Sequence, residues 1–123
     1  MKVFRLIFLL TISCSISAKT TIASKLISNK EVWLQLSKVA ESTKPTLPKK
    51  IDKNTILFDM KPFGLRGLEY SYKLNMTKEA LLKIPDIKII LKNMQKNNYC
   101  SNEALYWYRD EFIAMKWSYF DKN

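Results

Sequence analysis

Residues 68–74 read Leu68-Glu69-Tyr70-Ser71-Tyr72-Lys73-Leu74, an unbroken alternation of large apolar or aromatic side chains with polar ones. Period 2 places Leu68, Tyr70, Tyr72 and Leu74 on one face of a strand and Glu69, Ser71 and Lys73 on the other, so the stretch predicts a half-buried β-strand. Just upstream, Ile56, Phe58 and Met60 alternate with Leu57 and Asp59, and the loop from Lys61 to Gly67 carries Pro62, Gly64 and Gly67. Two alternating runs joined by such a loop predict an antiparallel hairpin with one buried face.

That buried face needs a partner layer, and the flanking segments supply it. In residues 30–41, Val32, Leu36 and Val39 recur at i, i+4 and i+7, with Trp33 and Ala40 beside them and Lys30, Glu31, Gln35 and Lys38 opposite. This is an amphipathic helix. Asn29 or Ser28 can cap its start, and Pro45 ends it by about Thr43. Lys44 to Lys50, with Pro45 and Pro48, predicts an extended connector. Beyond the tyrosine strand, Thr77 opens a helix with Ala80, Leu81 and Ile84 on one side. Pro85 interrupts it, and a second piece with Ile87, Ile90, Leu91 and Met94 facing the core runs to about Lys96, where Asn97-Asn98 break it. Ser101 to Tyr108 is a weaker short helix, and Phe112 to Phe120 reads as a strand with Ile113, Met115, Trp117 and Tyr119 on one face. The expected fold is α+β, a small antiparallel sheet of about three strands with helices packed on one face, in the order α-β-β-α-α-β.

Composition narrows the chemistry. The chain has 123 residues, 21 Lys plus Arg, 11 Asp plus Glu, two Cys, two Gly and no His. One small domain is all that this length supports. Without His there is no imidazole base, no Ser-His or Cys-His pair and no His-ligated metal. Gly64 and Gly67 cannot build a glycine-rich phosphate cradle, which needs several residues lacking Cβ. No cofactor is expected.

The N-terminus reads as an address. Lys2 and Arg5 flank Leu6-Ile7-Phe8-Leu9-Leu10-Thr11-Ile12, followed by the small polar stretch Ser13 to Ala18. Charge, apolar core and small residues in that order make a secretory signal peptide, residues 1–18, with cleavage after Ala18. The run is too short for a transmembrane anchor, which takes about 20 apolar residues. A lipid anchor at Cys14 is the lesser alternative, because Thr11 stands where such signals usually carry Leu. Residues 19–123 then form a single domain outside the cytosol, periplasmic or secreted, where cysteines usually pair. Cys100 would be its one cysteine: buried and inert, paired with another chain, or missing its partner.

The C-terminus reads as unfinished, since Asp121-Lys122-Asn123 is turn chemistry and the strand before it would offer an open, aromatic-rich edge for association. The stretch Leu47-Pro48-Lys49-Lys50-Ile51-Asp52-Lys53-Asn54-Thr55, the strand Leu68-Glu69-Tyr70-Ser71-Tyr72, then Cys100, then a strand ending Tyr119-Phe120-Asp121, resembles a group of small exported bacterial proteins without an assigned activity. The resemblance spans about residues 33 to 121 and rests on short motifs. In that group the last aspartate enters a turn and a further strand carries a second cysteine. The resemblance therefore implies a periplasmic protein with Cys100 in a disulfide, and a chain that is either truncated or a naturally shorter form. It implies no catalytic residues.

The net charge of +10 suggests an anionic envelope component or an acidic protein as partner. Export argues against nucleic acid. Most lysines are scattered, as expected of a solvated surface, and only Lys49, Lys50 and Lys53 cluster. Eight of the 15 aromatic residues lie between Tyr99 and Phe120. Filling a thin core explains most of them, and Tyr106, Trp107 and Trp117 are the candidates for an exposed binding platform. The expected function is a non-enzymatic binding or interaction domain. The rivals are a small cell-wall hydrolase using carboxylates such as Glu69, Asp110 or Glu111, and a truncated fragment without function.

Overall fold

The computed structural model describes residues 26–122 and, for residues 5–10, the backbone. In chain order the elements are β1 (Arg5–Leu10), α1 (Asn29–Thr43), a 3-10 turn (Lys44–Thr46), β2 (Lys49–Asp52), β3 (Thr55–Phe63), β4 (Gly67–Leu74), α2 (Lys78–Leu82), α3 (Ile87–Ser101), a 3-10 turn (Glu103–Leu105), α4 (Tyr106–Asp110) and β5 (Ala114–Phe120). The fold is α+β, and its sheet has the order β1-β5-β4-β3-β2.

Three features of the sheet differ from the sequence reading, the first being that it has five strands where about three were expected, β1 lying within the segment read as a leader. The expected antiparallel sheet is mixed, because β5 lies parallel to β4 in the register Leu68↔Met115, Tyr70↔Trp117, Tyr72↔Tyr119. Parallel neighbours need a long crossover, and residues 78–110 supply one made of helices. The expected connector also contains an edge strand: Lys49 and Lys50 pair with Leu57 and Ile56. Its hairpin turn is closed by Asp52, whose carboxylate accepts from the Asn54 amide at 2.8 Å.

The hairpin β3–β4 forms as expected, but with its parity broken. A bulge between Leu57 and Asp59 turns Phe58 outward, so Leu57 and Met60 share the buried face while Ile56 and Phe58 are exposed. Facing them, β4 contributes Leu68 and Leu74, and β5 contributes Met115, Trp117 and Tyr119. Both long helices cover this one face. Helix α1, capped by Ser28 accepting from the Glu31 amide, buries Val32, Leu36 and Ala40 over β3 and β4. Full burial of a side chain such as Leu36 contributes about 2 kcal/mol.

Helix α3 is longer and differently turned than the periodicity suggests. It runs through Asn97-Asn98 to Ser101 because Tyr99 is anchored beyond them, fully buried with its hydroxyl donating to the Ile113 carbonyl at 2.8 Å. Its inward residues are Leu91, Gln95 and Tyr99, with Ile87 half-buried; Gln95 donates to the Tyr119 hydroxyl. Ile90 and Met94, expected in the core, face solvent.

Phe112 ends α4 in the left-handed region at φ 52°. The Phe112 amide donates to the Arg109 carbonyl at 3.2 Å and the Ile113 amide to the Tyr108 carbonyl at 2.8 Å, the paired bonds of a Schellman cap. Glycine usually holds that position, because a Cβ there costs about 1–2 kcal/mol. Phe112 is half exposed and so gains little from packing. Phe112→Gly is expected to raise stability by about 1 kcal/mol in urea unfolding, and a loss of stability would show that the ring, not the backbone, matters at this turn.

Candidate functional site

The face of the sheet away from the helices is where the polar parity of β4 and β5 comes together. Registers Lys61↔Glu69 and Glu69↔Lys116 place a carboxylate between two ammonium groups on three adjacent strands. Glu69 is 2 % exposed. Ser118 Oγ donates to its Oε2 at 2.7 Å, Lys116 Nζ lies 3.5 Å from Oε2, and Lys61 Nζ lies 3.8 Å from Oε1. A buried carboxylate is costly unless it is paired and hydrogen-bonded, and here it is both. Lys116 also stands 5.4 Å over the Phe63 ring, and Phe58 meets Phe120 edge-on at 5.3 Å on the same face.

As chemistry, this cluster is closed. A carboxylate beside a serine hydroxyl could in principle activate it, but Ser118 is fully buried, so its Oγ is not presented to a substrate. The other two acids stand elsewhere. Glu111 Oε2 accepts from Arg66 Nη2 at 3.2 Å and from the Ile27 amide at 3.1 Å, while Asp110 is exposed at the end of α4. Glu69 and Glu111 share none of these partners, so no described contact brings the three carboxylates named from the sequence together. Among the described residues no group of three His, Cys, Asp or Glu could hold a metal ion.

The basic cluster is a continuous exposed feature. Lys49 and Lys50 lie on the edge strand β2 and Lys53 in the turn that follows, all solvent-facing. Charged side chains on an edge strand also discourage edge-to-edge aggregation. The aromatic candidates divide. Tyr106 is 59 % exposed, and Trp107 is half-buried, packed on the core and edge-on to Tyr108 at 5.2 Å. Trp117 belongs to no surface: it is 1 % exposed and packs edge-on to Tyr99 at 6.5 Å, since its parity on β5 points it under the helices.

Cys100 is disulfide-bonded, and the other half of the bond lies outside the described residues. The leader, its cleavage after Ala18 and the Cys14 alternative likewise fall on residues 1–18, of which only the Arg5–Leu10 backbone is described. That backbone alters the expected open edge. Strand β5 is not an edge in this chain, because Arg5–Leu10 pairs with it antiparallel from Arg5↔Phe120 to Leu10↔Met115. After β5 the chain does not turn within the described residues: Asp121 is buried and the Lys122 amide donates to the Met76 carbonyl. No described helix is long and apolar enough to cross a membrane.

Sequence reasoning missed two arginines. Arg66 donates from Nε and Nη2 to the Glu111 carbonyl at 3.2 and 2.7 Å, and from Nη1 to the Ile27 carbonyl and Asn29 Oδ1 at 2.6 and 3.1 Å. It ties the start of α1 to the ends of β4 and α4. Arg109 donates to the Tyr99 and Asn102 carbonyls at 2.6 and 2.7 Å, satisfying the end of α3. No local spacing announces either, because their partners are distant in sequence or are backbone atoms.

No family model matches the chain, and no curated protein or solved structure is significantly similar to it.

Arg66→Ala is expected to lower the unfolding free energy by about 2–3 kcal/mol, with Glu111→Gln costing less because the backbone contacts persist. Equal losses in urea titrations would mean that the ion pair, not the carbonyl bonds, carries the junction. Burial pushes the phenols of Tyr70, Tyr72, Tyr108 and Tyr119 upward and that of Tyr99 to about 12. Raised values favour the neutral form in the folded state, so this contribution is fully present below about pH 10 and lost above it, by up to about 1.4 kcal/mol per tyrosine and pH unit. Urea midpoints and the tyrosinate absorbance, followed from pH 8 upward, should fall and lag together; phenols titrating near pH 10 in an intact fold would refute their burial.

Proposed function

We propose that this chain is an exported, non-enzymatic binding domain of the cell envelope that recognises an anionic component through its lysine-bearing edge. The observation that carries the reading is the β2 edge and its turn, where Lys49, Lys50 and Lys53 stand exposed beside a net charge of +10. Basic residues gathered on one rim act together on a negatively charged surface, at about 1 kcal/mol each near anionic lipid. The acids a hydrolase would need support the same reading, because Glu69 and Glu111 are each consumed by their own cations. Export is the reading of the charged, apolar and small-residue order of residues 1–18.

The test is cosedimentation of the full chain with phosphatidylglycerol vesicles against phosphatidylcholine vesicles. Binding should be confined to the anionic vesicles, weaken with added salt, and fall by about tenfold or more when Lys49, Lys50 and Lys53 are replaced by Gln. Equal binding to neutral vesicles, or indifference to the triple substitution, would refute recognition through this edge.

A further inference from the structure

Strand β5 is held on three sides by the folded core. Its helix-side residues Met115, Trp117 and Tyr119 are buried, its polar-side Ser118 is bonded to Glu69, and its inner edge is laddered to β4 over seven registered positions. The strand is therefore preformed whatever lies on its fourth side. On that side six residues, Arg5–Leu10, complete the ladder antiparallel, with α3 lying against them. Leu6–Leu10 of this strand belong to the apolar run, Leu6 to Ile12, of the segment that the sequence reads as removed after Ala18.

We propose that the outer edge of β5 is an acceptor for an apolar strand from another polypeptide, self-filled by Arg5–Leu10 until the leader departs. The proposal rests on the exported reading above and on a dithiol reductant, since the edge is vacated only when the leader is cut and the Cys100 disulfide, whose one other cysteine in this chain is Cys14 of the leader, is reduced to two thiols. Vacating it exposes a row of unpaired backbone donors and acceptors next to buried aromatic rings, an arrangement that demands a new strand. The occupant's chemistry is set by what fits now: about six residues, extended, antiparallel to β5 and without proline. By sequence the seated segment is apolar at both parities from Leu6 to Leu10, so the new strand is expected to be apolar on the helix side, opposite Met115, Trp117 and Tyr119, and to need no charge opposite Lys116 and Ser118. Main-chain bonds give the affinity, and the helix-side positions give the selectivity.

The test uses the full chain carrying a specific protease site between Leu10 and Leu26, reduced so that the Cys100 disulfide holds no released piece. After cutting in solution, the probe is a synthetic peptide of residues 4–12, compared with the same peptide carrying Phe8→Pro and Leu9→Pro. Amide exchange in Met115–Phe120 should quicken by about tenfold on release and slow again with the first peptide alone. If the cut chain unfolds, recovery of its circular dichroism by that peptide and not the proline version makes the same point. Unchanged protection after release, equal effects of the two peptides, or pairing of cut chains with one another through β5 would overturn the proposal. The mass of the protein recovered from cells decides separately whether the leader is removed: an intact chain refutes the exported reading, while the peptide arms alone decide the acceptor.

Discussion

The structure depends on β5 lying parallel beside β4. That one pairing sets Leu68, Tyr70 and Tyr72 against Met115, Trp117 and Tyr119, and ring stacking follows, with Tyr72 and Tyr119 5.2 Å apart. A parallel return cannot be made by a hairpin, so every helix between Lys78 and Asp110 is there partly to bring the chain back. It also explains why α3 outruns its own asparagines. Tyr99 must reach the Ile113 carbonyl just before β5 begins, and the bond fixes the crossover to the strand it delivers.

The remaining charges are arranged so that none competes with this core. Glu69 sits under the sheet with two lysines and a serine, and Glu111 sits at its end with Arg66. Breaking one partner of such a group leaves the other desolvated, which costs more than the pair itself contributes. The surface charge is left for the periphery, above all the β2 rim.

Local pattern made much of this visible. The alternation of residues 68–74, the i, i+4 spacing of Val32 and Leu36, and the parity of Met115, Trp117 and Tyr119 each describe one element and its buried face, which is why the α+β class follows from them. What local pattern cannot carry is relation between elements. Nothing in Ala114–Phe120 states that it runs parallel to β4, because parallel and antiparallel strands share the same period. The bulge at Phe58 breaks parity without a glycine to mark it, and β2 was hidden by prolines although Asp52-Lys53-Asn54 is recognisable turn chemistry. Ile90 and Met94 misled because α3 carries two apolar stripes, and only the tertiary bonds of Gln95 and Tyr99 choose between them. At the site, Glu69 was legible as a candidate acid, but its cations come from two other strands. Trp117 was legible both as a core residue by its parity and as an aromatic platform candidate, and only the assembled layers decide for the first.

On the export proposed above, the N-terminal strand would tie address and fold to one physical property. Leu6 to Leu10 is apolar at every position, which suits it to an export apparatus that selects short greasy runs and equally to the side of a sheet whose neighbour strand is lined with large rings. The two uses are exclusive at any moment. While paired to β5, the run has its backbone engaged and is withdrawn from recognition; while engaged elsewhere, it leaves β5 with an unsatisfied edge. On that proposal an attached leader completes the sheet and favours a closed domain, whereas its removal, which also parts Cys100 from the chain's other cysteine, favours association. The balance between those states rests on six backbone registers, and it requires no catalytic group at all.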